Sequence, residues 1–144
     1  MGGRASLLDD RDSPALRRDL SVGTIALDDW FATQSRPPSF LKIDVEGSEM
    51  AVIQGMTRIL RTSPPRAIVC EVSSGPSAGP DTVLDMLRGH GYTGWEITEV
   101  SANLLPLRQV QSEAGYVNAL FVHHAGNIDV TKNGEIRVGP QVCR

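Results

Sequence analysis

Lys42, Asp44 and Glu46 alternate with Leu41, Ile43 and Val45 in the stretch F-L-K-I-D-V-E-G-S-E, residues 40–49. In a strand that spacing puts the three charges on one face and the three apolar residues on the other. A second apolar run, A-I-V-C-E-V at residues 67–72, carries Glu71 near its end. Carboxylates at the C-terminal ends of neighbouring strands can do two things. Repulsion raises one pKa, which makes a proton acceptor at neutral pH, or the cluster attracts a cation. Asp44 is the first candidate for orienting or deprotonating a bound group, with Glu46 one pleat further on, Glu71 beside them and Lys42 as a charge partner. Glu49 falls in a helix's first turn, where a negative charge complements the helix dipole.

The elements that must position these residues follow from the pattern around them. Residues 40–45 read as a strand, Gly47 permits a turn, and Val52, Ile53, Met56, Ile59 and Leu60 recur at the spacing of one amphipathic helix that ends before Pro64 and Pro65. Residues 67–72 then read as a buried strand. Strand, helix and strand with short joints form a βαβ unit, which implies parallel pairing and brings Asp44, Glu46 and Glu71 to one edge. That edge is where open α/β sheets collect reactive groups.

Further along, residues 73–80 are a Ser/Gly/Pro loop, and Pro80 and Asp81 open a second helix with Val83, Leu84 and Leu87 inward, stopped by Gly89 and Gly91. Residues 93–100 and 117–122 read as strands joined by a variable loop through Pro106. Upstream, residues 22–26 suit a short strand, and Asp28 and Asp29 start a helix through Trp30 and Phe31. Residues 1–20 form a polar, weakly ordered leader. Residues 125–144 are a tail in which Asn133-Gly134, flanked by Ile128, Val130, Ile136 and Val138, marks a hairpin.

Composition excludes several classes of function. The 144 residues, 40% hydrophobic and 22% charged with a net charge of −3, suit one globular domain and leave no basic footprint for nucleic acid. No apolar run is long enough to span a bilayer, so no membrane role and a cytoplasmic location are expected. Met1-Gly2-Gly3-Arg4-Ala5-Ser6 fits the short myristoylation pattern, which chance matches easily. Cys70 and Cys143 have neither disulfide-framework nor zinc spacing. His90 suits a helix end, and the consecutive His123 and His124 would point to opposite faces and hold no common ion. No metal site is expected.

Two groups of these residues together resemble the FkbM-type methyltransferases, S-adenosylmethionine-dependent enzymes that mostly methylate hydroxyl oxygens. They are T-I-A-L-D-D-W-F at residues 24–31, and L-K-I-D-V-E-G-S-E with I-Q-G-M and A-I-V-C-E-V at residues 41–72. The resemblance is to the family's second half. It implies an α/β fold, specifically a partial Rossmann-like class I methyltransferase sheet of parallel βαβ units with an antiparallel C-terminal strand, spanning residues 21–124. It also implies methylation of a small-molecule or glycan hydroxyl, with Asp44, Glu46, Glu71 and Lys42 as the candidate catalytic residues. The glycine-rich donor-binding turn of such enzymes has no counterpart before Asp44: Gly2 and Gly3 sit in the polar leader and Gly23 is solitary. A truncated or split enzyme that binds S-adenosylmethionine weakly or not at all is therefore expected. The alternative is a non-catalytic half-domain that binds a partner or itself through an exposed sheet edge.

Overall fold

The structure, a computed structural model, describes residues 21–73, 82–98, 104–107, 116–131 and 134–139. Helix α1 (Leu27–Phe31) precedes strand β1 (Phe40–Ile43), helices α2 (Glu49–Gln54) and α3 (Thr57–Thr62), and strand β2 (Ala67–Ser73). Helix α4 (Val83–Gly89), strands β3 (Tyr92–Ile97), β4 (Leu104–Pro106) and β5 (Tyr116–His123), and the strands β6 (Ile128–Val130) and β7 (Ile136–Val138) follow.

Five strands form one sheet in the order β1-β2-β5-β3-β4. The α/β class holds, but the sheet is mostly antiparallel. Among the described residues only β1 and β2 pair in parallel, while β5 runs antiparallel to both β2 and β3, and β4 antiparallel to β3. The expectation of several adjacent parallel units is corrected on this point. Although β3 runs in the same direction as β2, the antiparallel β5 lies between them.

The β1–β2 crossover shows why the apolar period alone misreads local structure. The single helix expected from Val52 to Leu60 is two helices, broken at Gly55 and Met56. The break is imposed from thirty residues upstream. The backbone N–H of Asp28 donates to the Gly55 carbonyl at 2.8 Å, and the Asp28 carboxylate accepts from the N–H groups of Arg58 and Ile59 at 2.8 and 2.9 Å. These are orphan donors of the first turn of α3, so Asp28 caps a helix other than its own. The period survives the break, because Ile53, Met56, Ile59 and Leu60 are all buried.

Two other expectations change. Residues 21–26 are irregular rather than a strand, with Val22 and Ile25 exposed and Ala26 serving as the N-cap of α1. Leu104–Pro106 is a strand on the edge of β3 rather than loop, because Leu104 buries itself against the cluster containing Leu120 and Val122, with Trp95 and Ile97 beside it. Thr82 caps α4 by accepting from the Asp85 N–H; Pro80 and Asp81 lie outside the described residues, as do the leader and Asn133.

The core lies on both sides of the sheet. Ile68, Cys70 and Val72 of β2, with Val117, Ala119 and Phe121 of β5, pack on one face against Ile53, Met56, Leu60, Leu84 and Leu87. On the other face Ala67, Leu120 and Val122 are covered by Ile128 and Val130 of the β6–β7 hairpin. The hairpin foreseen around Gly134 therefore packs on the sheet.

Candidate functional site

The parallel register pairs Lys42 with Val69 and Ile43 with Cys70, and Asp44, just past the end of β1, comes near enough to Glu71 for their charges to interact. The pleat places Lys42 and Glu71 on the hairpin side of the sheet and Ile43 and Cys70 on the helix side. The acidic groups sense one another. Burial, with the charges of Glu49, Glu46 and Asp44, raises the Glu71 pKa above the ordinary carboxyl value. The clustering foreseen from the βαβ reading is present.

Glu46 reaches the cluster by a different route from the one expected. It was expected to continue the strand on the face of Lys42 and Asp44, but the strand stops at Ile43, and Glu46 and Gly47 adopt φ of +52° and +93°. Glycine takes such a conformation without strain, whereas for glutamate it is unfavourable by about 1 kcal/mol. Glu49 is what holds the turn. Its Oε1 accepts from the Gly47 N–H at 3.1 Å and from the Val45 N–H at 3.4 Å, with only 5% of the residue exposed. Glu49 thus supports the site rather than only complementing a helix dipole. A glutamate two residues after a turn glycine, able to reach back to that turn, is the signal that could have revealed it.

Lys42 donates from Nζ to Asp44 Oδ2 at 2.7 Å, with the two side chains 65% and 55% exposed. The pair orients Asp44 while leaving it open to solvent. Across β2, Asn118 of β5 stands opposite Glu71 and Tyr116 opposite Ser73. Both are exposed polar residues beside the acidic edge, and sequence reasoning did not single them out. Their signal is a polar residue at alternate positions of an otherwise apolar strand.

Cys70 offers no nucleophile here. Burial first, and then Glu49, Glu71 and Asp44, push its thiol up to about 12, and Sγ donates to the Glu71 carbonyl. A proton acceptor and orienting group beside further negative charge is what the arrangement supplies.

The opposite end of the sheet is built differently. The Tyr92 hydroxyl donates to the Pro65 carbonyl at 2.8 Å, Arg66 Nε donates to the Gly126 carbonyl at 2.5 Å, and the Ala125 N–H donates to His123 Nδ1 at 3.2 Å. The rings of His123 and His124 lie 4.3 Å apart, not on opposite faces. β5 ends at His123, and the chain turns so that His124 meets the Gly91 carbonyl. His90 caps α4 through its backbone N–H. A cleft of about 300 Å³ between Ser39, Pro64, Arg66 and His123 lies at this end, away from the carboxylates. Among the described residues, no three His, Cys, Asp or Glu side chains are placed to hold a metal ion. No helix among them is long and apolar enough to cross a membrane.

This combination of an α/β sheet and an acidic edge after β1 agrees with what comparison with known families finds. The methyltransferase FkbM domain matches residues 9–93, more than half of the 144-residue chain. The chain belongs to the FkbM methyltransferase-domain family. Comparison with curated proteins and with solved structures finds no match. The matched segment takes in α1, the β1–β2 unit and α4 and stops at the start of β3, so β4, β5 and the hairpin lie beyond it.

Proposed function

We propose that the chain acts in S-adenosylmethionine-dependent O-methylation of a small-molecule or glycan hydroxyl in the cytoplasm, with Asp44 as the acceptor-side carboxylate. The observation that carries this reading is Asp44 near Glu71 at the ends of the parallel strands β1 and β2. The sheet order supports it as well, because β1, β2 and β3 share one direction with β5 reversed between the last two, as half of a Rossmann-like class I methyltransferase sheet would be.

S-adenosylmethionine, when bound, supplies an electrophilic methyl group on a positively charged sulfur. The acidic edge suits that charge. A grouping of Asp44, Glu46 and Glu71 attracts a sulfonium, and Asp44, held by Lys42, is exposed enough to accept the hydroxyl proton as the oxygen is methylated. Glu71, with its raised pKa, suits the relay of that proton. The positioning of the acceptor falls to the exposed residues beside the edge, Asn118 and Tyr116. Of the enclosing surface an adenosyl group needs, the described residues provide one wall, so weak donor binding by the chain alone is expected. Exposed carboxylates contribute about 1 kcal/mol, against about 8 kcal/mol for micromolar affinity.

A second reading is favoured by the outer edge of β1, which no described strand covers: a methyltransferase-like half-domain that binds a partner. One pair of measurements separates the two. Transfer of a labelled methyl group from S-adenosylmethionine to a panel of hydroxylated small molecules and glycans, abolished by Asp44→Asn, supports the enzyme. No transfer to any acceptor, together with no saturable donor binding in a calorimeter, leaves the binding module.

A further inference from the structure

In the β1–β2 ladder the Ser39 carbonyl accepts from the Ala67 N–H, so Ser39, Leu41 and Ile43 turn their backbone groups towards β2. Phe40 and Lys42 turn theirs outwards, where no described strand meets them. The edge is short and carries the exposed Lys42, yet it also leaves apolar side chains in the open. Phe40 is 57% exposed, Val45 is 38% exposed, and neither proline nor a bulge interrupts the strand.

We propose that a second copy of this chain pairs with this edge, antiparallel, about a two-fold axis through Ile43. The charge pattern selects the occupant and the register. With Ile43 opposite Ile43, Lys42 of each copy stands opposite Asp44 of the other, and the outward backbone groups of those residues form hydrogen-bonded pairs. Leu41 then faces Val45 on the helix side. Sliding the pair by one step puts Lys42 opposite Lys42, and sliding it the other way puts Asp44 opposite Asp44; both set like charges face to face. A two-fold contact is self-complementary by necessity, and K-I-D read against itself in reverse meets that requirement. Lys42 and Asp44 already pair within one chain at 2.7 Å, so the exchange needs only side-chain rotation. The pairing also brings the Lys42 of one copy to the Asp44 of the other, at the proposed acceptor site.

The test uses the full chain without donor or acceptor, so its result is independent of the methyl-transfer reading. Sedimentation and light scattering should show a concentration-dependent species of twice the 15.6 kDa chain mass, weakened by high salt. Lys42→Glu and Asp44→Lys should each weaken self-association by roughly tenfold or more, since each converts two attractive cross-strand pairs to repulsive ones. Mixing the Lys42→Glu chain with the Asp44→Lys chain should restore association, because every cross-strand pair is then opposite in sign. That recovery also shows both variants to be folded. A chain that stays monomeric at its highest soluble concentration overturns the proposal. So does a dimer indifferent to both substitutions, and so does a mixture that associates no better than its components.

Discussion

The two ends of the sheet are made from the same strands and use their polar groups in opposite ways. At the end where β1 and β2 start, Tyr92, Arg66 and His123 each close on a backbone group, and β5 returns to the β2 entrance through the His123 N–H to Arg66 carbonyl bond at 3.0 Å. At the other end four carboxylates converge, and among the described residues only Glu49 is committed to backbone donors. At the first end these donors and acceptors satisfy one another, and a cleft of about 300 Å³ opens beside Arg66 and His123. The second has exposed acceptors held near one another against repulsion, which is why it is the candidate site. Polarity alone does not distinguish the two; the direction of the hydrogen bonds does.

The comparison breaks most visibly if the acidic end proves inert. If Asp44 acts on the acceptor proton as proposed, Asp44→Asn should lower methyl transfer by roughly 10²- to 10⁴-fold with little change in donor affinity. Steady-state kinetics beside donor titration checks this; equal loss of donor binding would move Asp44 from the acceptor to the donor side.

At the closed end the expected effect is on stability. A methyl group at Gly126 would lie 2.9 Å from the carbonyl oxygens of both Arg66 and His123, so Gly126→Ala should cost about 1–3 kcal/mol in urea unfolding. Tyr92→Phe removes one buried hydrogen bond to Pro65 and should cost about 1 kcal/mol. If both variants unfold like the parent protein, the closed end is not what holds the sheet.

The two ends should also respond to pH with opposite sign. Glu71 has a raised pKa, so between its ordinary and folded values the native state binds more protons and stability falls as pH rises; Glu71→Gln should flatten that slope. For His123, burial and the neighbouring His124 outweigh the bond to the His90 backbone and lower the pKa below 6.5. The unfolded chain then takes up the proton first, and stability falls as pH drops from about 6.5 towards the folded value. Unfolding midpoints measured across mildly acidic to neutral pH, for the parent and for Glu71→Gln, would separate the contributions. The smallest effect belongs to Lys42→Gln, which should change stability by no more than about 0.5 kcal/mol because the pair with Asp44 is solvated. A larger change would mean that Lys42 has a structural role its exposure does not suggest.

How far the residues themselves spoke depended on the distance over which they act. The strand F-L-K-I, the apolar run A-I-V-C-E-V and their parallel pairing follow from alternation and from the short helical connection, and with them the meeting of Asp44 and Glu71. The family resemblance follows from the same residues. By contrast, the break at Gly55, the strand at Leu104–Pro106 and the meeting of His123 with His124 depend on partners far along the chain or on a turn. The L-D and I-Q-G-M motifs, read separately as a helix start and part of a helix, turn out to be joined by the Asp28 hydrogen bonds.

Glu46 and Glu49 mark the boundary between the two kinds of information. A period of two places Glu46 on a strand, and a first-turn position gives Glu49 a dipole to complement. Neither rule contains the fact that a buried Glu49 carboxylate draws the N–H groups of Val45 and Gly47 to itself and sends Glu46 into a left-handed turn. Local sequence determined which residues are strand, which are helix and which carboxylates come near one another, because pattern and propensity act between close neighbours. The shape of the acidic turn, the reversed β5 and the closed opposite end were decided by tertiary structure. Each is set by a hydrogen bond or a packing contact whose partner had to be brought there by folding.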